Sequence, residues 1–269
     1  MSEEISGNSL FNKMKLQVTL FFYAISYFTR LPIPSCIVFD NEQFHKANAY
    51  FPAVGLLNAL VMIAFFCLCQ LFFPMSVSII LMLVSGLLLT GSLHEDGFAD
   101  CCDGFGGGYD VTQRLKIMKD SQIGTYGGIG LIVIFLLKFN LLVELANGGT
   151  ENLAIGLVLA HVLSRYSALY LMQKLPYVRL ETGGGKVQSL STKLNRCYFL
   201  STSSLTFCCL FFLTFTSALV IITAVAMITF VIKTLLLKNL GGYTGDCLGA
   251  TQQLVELSIL LLCSALFIV

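Results

Sequence analysis

The chain has 269 residues, 56% of them hydrophobic and only 12% charged, with a net charge of +1 and a mean hydropathy of +0.83. That balance excludes an ordinary soluble domain and a nucleic-acid binder, since no basic stripe interleaved with aromatics is present. It describes a polytopic, all-α membrane protein, because a bilayer forces helices over open sheet.

The amino-terminal "MSEEISGNSL" is polar and acidic and lacks the order of a cleavable signal peptide, so the first helix is expected to be retained. Apolar runs follow at 16–31, 50–73, 76–93, 127–147, 152–172, 199–216, 218–237 and 254–269, which predicts seven or eight transmembrane or interfacial helices in a single integral membrane domain, 1–269. The run at 16–31 is short and bracketed by Lys15 and Arg30, and Pro32 and Pro34 stop it. The ten cysteines are scattered, several inside apolar runs, where a thiol acts as a small hydrophobe. The adjacent Cys101 and Cys102 have no second Cys or His pair at zinc spacing, so neither a disulfide framework nor a zinc site is expected.

Three polar loops, about 94–126, 173–198 and 238–253, are separated by pairs of apolar runs and therefore share one side of the membrane. The middle one holds Lys174, Arg179, Lys186, Lys193 and Arg196, whereas the turn "NGGTEN" at 147–152 opposite holds no Lys or Arg, so the shared side is expected to be cytoplasmic. The topology count depends on a turn between 216 and 218.

The first loop opens with "HEDGFADCCDGF", residues 94–105. If the helix begun near 76 continues through it, Asp96, Asp100 and Asp103 stand at i, i+4 and i+7, within about 60° of arc. Converging carboxylates repel unless a cation neutralises them, and Mg²⁺, which joins carboxylates to substrate phosphates, is the natural candidate. Glu95 points about 100° away and is left out of the metal site. After the glycine turn "GFGGGYD", the segment "RLKIMKDSQIGTYGG" sets Arg114, Lys116, Lys119, Asp120 and Ser121 on the same face. The third loop, "GGYTGDCLGA", offers Thr244 and Asp246 among glycines before a helix, suited to presenting backbone N–H groups to an anion. Arg165, two turns inside its helix, is expected to face a polar interior or a partner. His161 is read as a hydrogen-bonded core histidine, Glu144 as solvated, and "TGGGK" at 182–186 as a mobile loop rather than a P-loop.

The order and spacing of "FTRLPIP", "YFPAVG", "HEDGFADCCDG", "RLKIMKDSQIGTYGG", "SR" at 164–165 and "GGYTGDCLGA" resemble the cobalamin-5'-phosphate synthase family, also called adenosylcobinamide-GDP ribazoletransferase. The resemblance implies a Mg²⁺-dependent enzyme of the cell inner membrane with its site facing the cytoplasm. Such an enzyme joins adenosylcobinamide-GDP to α-ribazole or its 5'-phosphate and releases GMP. Glu95 and Gln122 depart from the family pattern, which more often has an apolar and a basic residue there. On this reading Asp96, Asp100 and Asp103 hold the metal, and Asp120, His94 and Lys119 are candidate catalytic groups. Arg30, Arg114, Lys119, Ser121, Arg165, Thr244 and Asp246 are candidate substrate contacts. The lipid bilayer is the expected surrounding, and a homo-oligomer is compatible with the sequence. Two alternatives stand beside this reading: a CDP-alcohol phosphotransferase with a lipid acceptor, and an ion-coupled transporter, which would place its acids near the membrane midplane in broken helices of two related halves.

Overall fold

The computed structural model describes residues 2–178 and 191–267, with the side chains of 2–11 excepted. Ten α-helices account for most of it: α1 (Ser2–Phe28), α2 (Phe51–Cys69), α3 (Met75–Thr90), α4 (Leu93–Gly107), α5 (Val111–Ile117), α6 (Thr125–Asn147), α7 (Thr150–Lys174), α8 (Arg196–Phe207), α9 (Phe215–Leu240) and α10 (Gly245–Phe267). Short 3₁₀ segments at Phe44–Tyr50 and Cys208–Phe212 precede α2 and follow α8.

Each predicted apolar run is mostly helical. Five spans are long and apolar enough to cross a membrane, within 44–69 and in α6, α7, α9 and α10, and a bent pair made by α3 and α4 would be a sixth. The helix of 196–212 is apolar but shorter, and α1 stands outside these candidate spans. The outward faces are apolar too: Phe211, Phe212, Phe215 and Phe230 are exposed, as lipid-facing side chains are.

The expected continuous helix from 76 to 103 is corrected by the structure. The chain breaks at Gly91 and Ser92, both in the left-handed region at φ 65° and 57°, and α4 leaves at 89° to α3. At this corner the Arg30 side chain lies against Gly91, where a Cβ would come within 2.2 Å of Arg30 Nε, and the Arg30 backbone N–H donates to Leu89 O. The turn required near 216 is present at Leu213–Thr214, where Thr214 caps α9.

The polar loops meet at one end of the helices, as the counting required. Tyr177 and Tyr243 pair as a short parallel bridge between the second and third loops. Arg114 Nη1 donates to Asn239 O at 3.0 Å, and Gly97 packs on Asp246, joining the first loop to the third. At the other end, Leu145, Ala146, Leu153, Leu210 and Ile221 form an apolar cluster with α2, α3 and α10. The segment 182–186 and the basic residues Arg179 and Lys186 lie outside the described residues.

Between these ends, charged residues are buried within the apolar spans. Lys138 on α6 reaches Glu256 Oε1 on α10 at 2.5 Å and donates to Gln253 Oε1 at 2.6 Å. Gln253 Nε2 donates in turn to Glu95 Oε1 at 2.8 Å, and Gln252 Nε2 donates to Glu256. Arg165, 1% exposed, donates from Nη1 to His161 Nδ1 at 3.0 Å and stands over the Phe51 ring. Its surroundings are the polar interior expected for it, and His161 is hydrogen-bonded as read.

Breaking such a buried pair strands the remaining charge, at a cost of about 3–5 kcal/mol. Lys138→Met is therefore expected to lower the unfolding temperature of the detergent-solubilised protein sharply. Lys138→Met/Glu256→Leu, which removes both charges, should recover most of the loss in the same thermal melt.

Candidate active site

Close approach of α4 and α10 builds the site. A Cβ on Gly97 would lie 2.8 Å from Asp246 Cα, and one on Gly249 would lie 2.9 Å from His94 O, so glycine at both positions lets the backbones touch. Thr244 stands before α10, wholly buried, and its Oγ1 accepts from Cys247 N at 3.3 Å as a helix cap does. It also donates to Asp246 Oδ2 at 3.3 Å. Thr244 thus orients Asp246 and the helix start.

The contact opens a pocket of about 260 Å³ whose wall includes His94, Asp96, Gly245 and Asp246. Aromatic side chains from α1, α2 and both later loops, Tyr27, Phe28, Phe51, Tyr177 and Tyr243, complete it. The Tyr243 hydroxyl is buried and has no hydrogen-bond partner among the described residues, and burial, then the neighbouring Tyr177, push its phenol above the usual range. His94 is buried with its ring 5.6 Å from that of Phe51.

The three aspartates of α4 separate in role. Asp96 is exposed on the pocket wall, and Asp100 is partly buried one turn further along. Asp103 is buried, and its two oxygens accept from Gly124 N at 2.7 Å and Gly127 N at 2.9 Å, so it caps the start of α6. A Cβ at Gly124 or Gly127 would fall 2.4 Å from an Asp103 oxygen, which accounts for two of the three glycines of "GTYGG". Among the described residues, no three His, Cys, Asp or Glu side chains are grouped to hold a metal ion by themselves. Two carboxylates from different helices on one pocket, Asp96 and Asp246, nevertheless suit a hard ion that takes its other oxygens from a phosphate substrate and water.

Other expected contacts lie elsewhere. Arg114 is engaged by Gly108 O and Asn239 O and stands over Phe105, so it ties loops together. Lys119, Asp120 and Ser121 are exposed in the segment after α5, outside the pocket wall, where Asp120 Oδ1 accepts from Gln122 N. Arg30 braces the corner between α3 and α4, and Arg165 belongs to the buried ion network.

The model of the family described as cobalamin-5-phosphate synthase matches residues 20–264 of this chain. The chain belongs to that family. An adenosylcobinamide-GDP ribazoletransferase of Shewanella frigidimarina is 42% identical over 241 residues, covering 89% of this chain and 92% of the relative. Relatives of the same name from Pseudoalteromonas atlantica and Shewanella woodyi are 39% and 40% identical, each over 93% of this chain and over 92% and 96% of their own lengths. No solved structure matches the chain.

Lys138, Glu256, Gln252 and Gln253 were not among the sequence candidates. Lys138 interrupts the run 127–147 and was a visible signal, because a charge inside a span is costly unless paired. Glu256 was hidden by placing the last span at 254–269. With α10 starting at Gly245, Glu256 sits three turns in.

The division of roles among the aspartates has a direct readout. Asp103→Asn loses one of two buried acceptors and is expected to lower stability by about 1–3 kcal/mol in a thermal melt. Asp96→Asn, on the open pocket wall, should leave the melt unchanged within about 0.5 kcal/mol.

Proposed function

We propose that this chain joins adenosylcobinamide-GDP to α-ribazole or its 5'-phosphate, giving adenosylcobalamin or its 5'-phosphate and GMP, with Mg²⁺ at the pocket between α4 and α10. The observation that carries the reading is the meeting of Asp96, Asp246 and His94 on one pocket, in a chain of the cobalamin-5-phosphate synthase family. The pocket end faces the cytoplasm of a cell inner membrane, a placement supported by Lys174, Lys193 and Arg196 there and by the lack of Lys or Arg in the turn 147–152.

A pocket of about 260 Å³ is too small to enclose a corrinoid nucleotide, so it takes the reacting groups and leaves the bulk of both substrates outside. Asp96 and Asp246 are the residues that would hold Mg²⁺, with Asp100 one turn from Asp96. The bound ion supplies neutralisation of the pyrophosphate and of the departing GMP. The ribazole hydroxyl oxygen bonds to the phosphorus on the cobinamide side. The bond from that phosphorus to the bridging oxygen breaks, and GMP leaves with the electron pair. His94 accepts the hydroxyl proton, a role supported by its place on the pocket wall, which Asp120 does not share. Lys119 and Ser121, exposed on the same loop face outside the pocket wall, are available to the parts of the substrates that extend from it.

Purified protein in detergent, given adenosylcobinamide-GDP, α-ribazole and Mg²⁺, should yield a cobamide and GMP by chromatography, and chelation of the metal should stop the reaction. Asp96→Asn and Asp246→Asn should each lower kcat by about 100-fold. No cobamide with Mg²⁺ present, or turnover of a CDP-alcohol with a lipid acceptor instead, would overturn the assignment.

A further inference from the structure

A second cavity of about 20 Å³, sharing His94 with the active-site pocket, lies between α2, α3, α4, α6, α7 and α10. Its wall includes Asn58, His94, Glu95 and Arg165. Each of these presents one buried polar atom with no hydrogen-bond partner: Asn58 Oδ1, His94 Nε2, Glu95 Oε2 and Arg165 Nε. The volume accommodates about one water molecule, and a buried water typically makes two to four hydrogen bonds to groups of this kind.

We propose that this cavity is a binding site for one structural water, and that its hydrogen-bond count places a proton on His94 Nε2. A water donates two hydrogen bonds and accepts two. Asn58 Oδ1 and the Glu95 carboxylate can only accept, so they take both water protons. Arg165 Nε–H can only donate and fills one lone pair. The remaining lone pair requires a donor, so His94 Nε2 carries a proton, and in the neutral ring Nδ1 is then the nitrogen with the free lone pair. Arg165, Glu95 and Asn58 are thus positioning residues acting on His94 through the water.

Lys138 on α6, Arg165 on α7, Glu95 on α4 and Glu256 on α10 line the same cavity, and His161 Nδ1 lies 3.0 Å from Arg165 Nη1 and 3.4 Å from Glu256 Oε2. Glu95 is held in place by Gln253, which is in turn held by Lys138, so the chain of bonds runs from the ion pair to the water site. On the pocket side, Asp96 and Asp246 face the same wall as His94.

The catalytic use of that free nitrogen rests on the function proposed above, but the proton on Nε2 does not. The full chain, labelled with ring-¹⁵N histidine and placed in lipid nanodiscs, has three histidines, and the His94 signal is assigned by its loss in His94→Asn. At neutral pH the ring ¹⁵N shifts should show a proton on His94 Nε2. Asn58→Leu, of similar volume but without the acceptor, should leave Nε2 only partly protonated and lower kcat about tenfold with KM nearly unchanged. A wild-type His94 with no proton on Nε2, or one whose Nε2 protonation ignores Asn58→Leu, would overturn the water site. Absence of transferase activity alongside the expected protonation would overturn the functional reading and leave the site standing.

Discussion

Backbone contact between α4 and α10 is the constraint on which the site depends. Glycines at 97 and 249 remove the Cβ atoms that would hold the two helices apart, and the carboxylates of Asp96 and Asp246 reach one pocket only because of that approach. The right-angled corner at Gly91 and Ser92 is the second half of the same device. It turns α4 across the ends of the spans rather than along them, so that its acidic face meets the start of α10. Asp103, at the far end of α4, fixes the other side of the arrangement by capping α6.

Burying Lys138, Glu256 and Arg165 among apolar helices, with Glu95 half-buried beside them, carries a large desolvation cost, which pairing and hydrogen bonding only partly offset. Packing alone would be served better by apolar side chains of the same volume. The network does, however, connect α4, α6, α7 and α10 through directional contacts, and directional contacts specify orientation in a way that lipid-like side chains do not. Among the described residues, His94 lines both the pocket and the inner cavity.

Much of this was legible in the sequence. Hydropathy located the long apolar helices but not α5, and loop counting brought the three polar segments to one end, where Tyr177 meets Tyr243 and Arg114 meets Asn239. The helical spacing of Asp96, Asp100 and Asp103 also holds within α4. Spacing does not report which partners lie across from a face, so it could not show that Asp103 is taken by two backbone N–H groups while Asp246 faces Asp96's pocket. Nor could a local pattern reveal pairs such as Lys138 with Glu256, which are 118 positions apart and meet only after α6 and α10 pack. Glu95 was separated from the metal site by its direction, and that direction is now explained by Gln253.

The central claim is that Asp96 and Asp246 act as one unit made by the helix contact. A double-mutant cycle on kcat/KM, comparing Asp96→Asn, Asp246→Asn and the combined variant, tests it most directly. If the two carboxylates hold one ion against the pyrophosphate, the double variant should be only a few-fold worse than either single one, because the second loss removes an interaction already gone. Losses that multiply would contradict the account, since they would show two groups working independently.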